Sequence, residues 1–190
     1  MGAGLSPLPG ESALLALIAG QPDRLHLLRV VRDHGPEDAW IAAGFVRNAV
    51  WDALHGYIEP TPLSDIDVLY FAADSLEPEA DYAWERRLLD VCPDAPWSVR
   101  NQARMHLRNG DAPYRDCADA MCRWPEVCTA VALRLRGDSL ELLAPLGLED
   151  IWALRVRPTE HFRRKPDIYR ERIAAKNWPA RWPKLQIEPL

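Results

Sequence analysis

The chain lacks any apolar run near the roughly 20 residues that a helix needs to cross a bilayer, so a helical membrane protein is excluded. No basic region precedes an apolar segment near Met1, and nothing there reads as a secretory signal. Cysteine is scarce: Cys92, Cys117, Cys122 and Cys128 contain no C-x-x-C pair and do not have zinc-ribbon spacing. They read as structural thiols in a reducing cytoplasm. Positive charge is in the minority, with 23 Lys and Arg against 28 Asp and Glu, a net charge of −5 that argues against a dedicated duplex-DNA binder. P-loop, G-x-S-x-G and H-E-x-x-H motifs are all missing, which removes the commonest NTPases and hydrolases. Internal repeats and low-complexity tracts are missing as well.

What remains is ordinary globular material, 190 residues long and 48% hydrophobic, enough for one domain with its own core. We expect a single domain over residues 1–190, with a helical leader over 1–35 and a helical, Trp/Pro-rich extension over 150–190. Residues from Glu11 to Ala19 and from Asp23 to Asp33 carry apolar side chains at helical spacing. Ala39 to Ala43 forms a short apolar run into Gly44, and Val46 to Leu54 resumes a helical pattern. A Gly/Pro-bearing loop from His55 to Leu63 leads to a strand from Asp65 to Phe71. Tyr82 to Val91 reads as a helix and Trp97 to His106, by its alternation, as a further strand. Asp116 to Met121, Leu148 to Leu154 and Pro166 to Ala175 have helical character, while Val127 to Leu135 fits a strand or a buried helix. From Trp178 to Leu185 the density of Trp and Pro suits neither regular structure. The fold class expected is α/β (α+β), a small mixed sheet with helices packed against it.

Two features carry chemistry. Ala43-Gly44-Phe45-Val46-Arg47-Asn48 places a glycine where a strand turns into a helix, and a helix start offers backbone N–H groups to phosphate. Downstream, Ser64-Asp65-Ile66-Asp67-Val68-Leu69 sets two acids one residue apart in an apolar strand, so both carboxylates face the same side. Aspartate is disfavoured in strands and two on one face repel, so a compensating cation or basic residue is expected. Mg²⁺ or Mn²⁺, hard ions that bridge carboxylates to phosphate, suit that role. An Asp pair merely solvated on an amphipathic strand is the plainer alternative.

Gly44 followed by Asp65-Ile66-Asp67 resembles the glycine turn and h-D-h-D-h signature of the polymerase-β-like nucleotidyltransferase superfamily. Residues 43–48 resemble the Gly-Gly-x-Val-Arg-Asp turn of its CCA-adding branch. Trp97-Ser98-Val99-Arg100-Asn101, Trp124-Pro125-Glu126, Lys176-Asn177-Trp178 and Trp182-Pro183-Lys184-Leu185 are similar to a bacterial group of uncharacterised nucleotidyltransferase-like proteins. The resemblance implies that Asp65 and Asp67 hold Mg²⁺ against a nucleoside triphosphate, and that a nucleoside monophosphate passes to a hydroxyl with release of pyrophosphate. The expected nucleotide contacts are Gly44, Phe45, Arg47 and Asn48 at the turn, Ser64 beside the acids, and Arg104 and His106 on the later strand. That pattern is departed from in three ways. Phe45 stands where a second small residue is usual, the span from Gly44 to Asp65 is long, and the third carboxylate is replaced by Asn101, which supplies an oxygen but no charge. Asp74 and Asp116 are the other acids that folding could bring in. The loss of one acid also allows a nucleotide-binding module without efficient turnover. The acidic balance favours a small-molecule or protein acceptor over RNA, because RNA binding needs phosphate-neutralising surface.

Overall fold

The computed structural model describes residues 9–190. Residues 1–8 of the expected leader lie outside it. Its two leading helices, α1 (Glu11–Ala19) and α2 (Pro22–His34), bury Leu14, Ile18, Leu28 and Val31. Strand β1 (Trp40–Ala42) turns into helix α3 (Gly44–His55). Strand β2 (Ile66–Tyr70) follows, and helix α4 (Pro78–Val91) crosses to strand β3 (Trp97–Asn101). Then come α5 (Gln102–Asn109), α6 (Cys117–Met121), and the strands β4 (Ala132–Arg136) and β5 (Ser139–Leu143). The C-terminal part adds α7 (Glu149–Trp152), β6 (Arg155–Val156), α8 (Pro166–Lys176) and β7 (Gln186–Ile187).

The main sheet has the order β3-β2-β1-β4-β5, and β1 runs antiparallel to both neighbours. β2 and β3 are parallel, as a helical crossover between them allows. Alternation along these strands gives the sheet two different faces. One row across it, Leu133, Ile41, Val68 and Val99, is fully buried within the main core, on the side that α1 to α4 cover. In the adjacent row Ala132, Ala42, Asp67 and Ser98 stand in register on the opposite face. A smaller apolar cluster of Ala42, Leu69, Cys117, Met121 and Ala132 occupies part of that face. The mixed sheet backed by helices is the architecture expected from the sequence.

One element departs from expectation. The strand anticipated over 97–106 ends at Asn101, and Gln102–Asn109 is helical. Asn101 is the N-cap: its side chain accepts a hydrogen bond from the Ala103 amide, and Gly110 closes the helix at φ 69°. Apolar and polar residues alternate through this segment, but the cap and the closing glycine outweigh the alternation. Strand β5, which follows Gly137 at φ 58°, was not anticipated. The open question at Val127 to Leu135 resolves as a 3₁₀ turn over Val127–Thr129 followed by β4. The four thiols form no disulfide.

Candidate active site

The strand-to-helix turn is shaped by Ala43, whose φ of 52° and ψ of −115° suit glycine better than an L-residue. Its amide bonds the Val131 carbonyl, and its own carbonyl accepts from Val46 and Arg47 as α3 begins. The amides of Gly44 and Phe45 have no acceptor among the described residues, no side chain caps α3, and its first turn holds no acid. This is an uncapped helix N-terminus, and Gly44 lines a cavity at its positive end. A methyl on Gly44 would come within 3.3 Å of the Arg47 guanidinium, so glycine permits the close approach of that side chain.

Asp65 and Asp67 stand beside this turn, and Ala42 pairs directly with Asp67. The two acids and the turn border two cavities. A small one of about 140 Å³ is lined by Gly44, Arg47, Ser64, Asp65, Lys176 and Arg181. A larger one of about 330 Å³ is lined by Ala43 and Asp67 together with Arg100, Arg108, Arg123 and Arg172. Burial, then repulsion from Asp65, raises the Asp67 carboxyl to about 6, against the opposing pull of Arg47, Lys176 and Arg172. Three cations thus already oppose a shift whose largest cause is burial. Two neighbouring carboxylates, completed by phosphate oxygens and water, match the usual protein share of a Mg²⁺ site. No cluster of three or more His, Cys, Asp or Glu suited to a metal exists among the described residues.

Arg47 is nearly buried. Its Nε donates to Asn48 Oδ1 at 3.2 Å, and the guanidinium lies over Trp178 (4.6 Å) and Trp51 (5.2 Å). Burial depresses its pKa, but a guanidinium stays protonated. Asn48 and Ser64 line the same small cavity, and Ser64 donates to Asp65 at 3.0 Å. The C-terminal segment closes this side. Trp178 and Trp182 meet Trp51 edge-on, and Trp182 Nε1 donates to the buried Asp52 at 2.8 Å.

The side chains of four expected site residues are placed elsewhere. Asn101 is fully buried and accepts from the Ala72 and Ala103 amides while donating to the Ala72 and Ser75 carbonyls. Its amide is saturated by backbone and offers nothing to a metal. Arg104 is paired with the buried Asp81, and His106 bonds the Ala103 carbonyl. Both leave the cleft because a helix turns its side chains about 100° per residue, where a strand would have alternated them. Phe45 is a core residue at 0% exposure, and its carbonyl is taken by Arg24. Asp116 caps α6 rather than approaching the acid pair. On β3 the face shared with Asp67 carries Ser98 and Arg100, so no third acid stands at these register positions.

The large cavity was missed from sequence. Arg100, Arg123 and Arg172 are held from behind by Glu85 (2.6 Å), Asp119 (3.3 Å) and the buried Glu126 (2.5 Å). None of these partners lines the cavity. The arginines converge from β3, the α6–β4 connection and α8, so only their placement on three elements could reveal the set.

A helix-backed mixed sheet presenting an acid pair beside an uncapped helix N-terminus is a nucleotidyltransferase arrangement. The nucleotidyltransferase family model matches residues 29–187, and the chain belongs to that family. A solution structure described as revealing a CCA-adding enzyme head domain is 36% identical, covers 95% of this chain and 96% of that one, and superposes with a TM-score of 0.83. A CCA-adding enzyme in complex with CTP is 17% identical (97% of this chain, 44% of that one, TM-score 0.59). The Thermotoga maritima CCA-adding enzyme complexed with tRNA is also 17% identical (97% and 43%, TM-score 0.58). These last two share the fold, and the chain spans under half of their length. No curated protein matches. No helix among the described residues is long and apolar enough to cross a membrane.

Proposed function

We propose that the chain transfers a nucleoside monophosphate from a nucleoside triphosphate to a hydroxyl, with Asp65 and Asp67 holding Mg²⁺ or Mn²⁺. The observation that carries this is the Asp65/Asp67 pair beside the start of α3, whose Gly44 and Phe45 amides have no acceptor among the described residues, with cations lining both adjoining cavities. The metal would neutralise the phosphates and lower the pKa of the attacking hydroxyl. The chain's own residues do the positioning. The α3 N-terminus, Arg47, Lys176 and Arg181 give the β- and γ-phosphates a small cationic cavity, which places the α-phosphate at the acid pair. The acceptor oxygen bonds to the α-phosphorus, the bond to the β-phosphate oxygen breaks, and pyrophosphate departs with its charge held by these groups. The hydroxyl proton leaves toward the Asp65/Asp67 carboxylates or water. One of the CCA-adding enzymes above is in complex with CTP, which supports a nucleotide as donor here.

A second reading, a nucleotide-binding module without turnover, is favoured by one feature: Ser98 and Arg100 where a third acid would complete a two-metal site. Thermal denaturation with Mg²⁺ and each nucleoside triphosphate tests binding. At about 100 times Kd the wild type should gain roughly 2.7 kcal/mol, about 5–10 °C, and Asp65→Ala with Asp67→Ala should gain nothing. A wild-type protein that fails to respond overturns both readings. Binding without pyrophosphate release across acceptors selects the second.

A further inference from the structure

The geometry points to an acceptor that is a small phosphate-bearing compound, bound in the larger cavity by Arg100, Arg108, Arg123 and Arg172. This rests on the nucleotidyl-transfer reading above. In an in-line displacement the attacking oxygen and the leaving group lie on opposite sides of the phosphorus. With the leaving pyrophosphate in the small cavity lined by Gly44 and Asp65, and the α-phosphate at the acid pair, the hydroxyl arrives from the cavity lined by Ala43 and Asp67. That is the larger cavity.

Its lining sets four guanidiniums against one carboxylate, in a chain whose net charge is −5. A neutral acceptor needs no such wall. Three of the arginines are fixed by acids that stand outside the cavity, so their remaining N–H groups are oriented before a ligand arrives. Arg123 also stacks over Tyr114 at 5.3 Å, and its buried Nε has no hydrogen-bond partner among the described residues. Arg108 is exposed and makes no ion pair among the described residues, leaving its whole charge for a ligand. About 330 Å³ accommodates one sugar phosphate or mononucleotide.

Calorimetry on the full chain with Mg²⁺ tests this, using ribose 5-phosphate, ribose and a short RNA with a free 3′-hydroxyl as probes. Ribose 5-phosphate should bind and ribose should not. Arg108→Ala with Arg123→Ala should weaken ribose 5-phosphate at least ten-fold. Arg108→Glu, a surface change that leaves the Arg123–Tyr114 contact intact, should do the same if the double variant folds poorly. Lys176→Ala, in the other cavity, should weaken Mg²⁺-nucleoside triphosphate and leave ribose 5-phosphate unchanged. The inference is overturned if ribose 5-phosphate fails to bind, if the Arg108 variants bind it as well as the wild type, or if only the RNA binds. A wild type that binds ribose 5-phosphate but no nucleoside triphosphate removes the transfer reading, and the acceptor role with it. A wild type that binds the triphosphate alone removes the acceptor assignment only.

Discussion

Asn101 and Asp67 sit on neighbouring strands and have opposite fates. The Asn101 amide donates to the Ala72 and Ser75 carbonyls at 2.8 and 2.7 Å in a site with no solvent exposure. Asn101→Asp would face those carbonyls with a carboxylate oxygen, a buried repulsive pair costing on the order of 2–4 kcal/mol. Urea denaturation at pH 7 should show that loss with no gain in Mn²⁺ affinity, and retained stability with tighter metal binding would refute it. Asp67 is held near 6 by burial and by Asp65, above its ordinary 3.8. Between about pH 4 and 6 the folded chain binds more protons than the unfolded one, so this group's contribution to stability falls as pH rises through that window. Asp67→Asn removes the effect. At pH 7, without metal, the variant should be more stable by about 1–2 kcal/mol and show a flatter profile of Tm against pH from 4 to 6. Divalent affinity of the wild type should climb across the same range, and identical pH profiles for the two proteins would contradict the assignment.

Two elements shape the cleft in ways that their own residues only partly announce. The glycine turn was legible, because a short apolar run into Gly44 and then a helical pattern leaves one conformation open to the chain. The β3–α5 boundary was not, because the alternation of Trp97 to His106 is equally good strand pattern up to the point where Asn101 caps a helix. That single change of period moved Arg104 and His106 out of the site and brought Arg108 in. The C-terminal segment, anchored by tryptophan contacts, brings Lys176 and Arg181 into the lining of the small cavity. Trp182 meets Trp51 at 5.1 Å and bonds Asp52. Trp182→Ala should therefore cost about 3–5 kcal/mol in chemical denaturation and weaken Mg²⁺-nucleoside triphosphate binding as the segment loosens. A loss below about 1 kcal/mol would mean that the segment is not anchored there.

Over the whole molecule, negative charge predominates while the cleft is positive. The cleft cations are partly exposed, so their pull on a phosphate ligand is screened over a Debye length of about 10 Å at 0.1 M salt. Affinity for Mg²⁺-nucleoside triphosphate should fall several-fold between 0.05 and 0.5 M salt, while duplex DNA should not be retained at either. A salt-independent affinity measured by calorimetry would argue against ionic phosphate contacts. The sequence by itself determined the sheet-and-helix class and the strand-to-helix turn at Gly44, since local periodicity and steric rules act within a few residues. Only the tertiary structure decided that Asn101 is saturated by backbone, that Glu126 and Arg172 meet across 46 positions, and that four arginines line one cavity. Those facts depend on which distant segments the packed core brings together, and no local pattern encodes that distance.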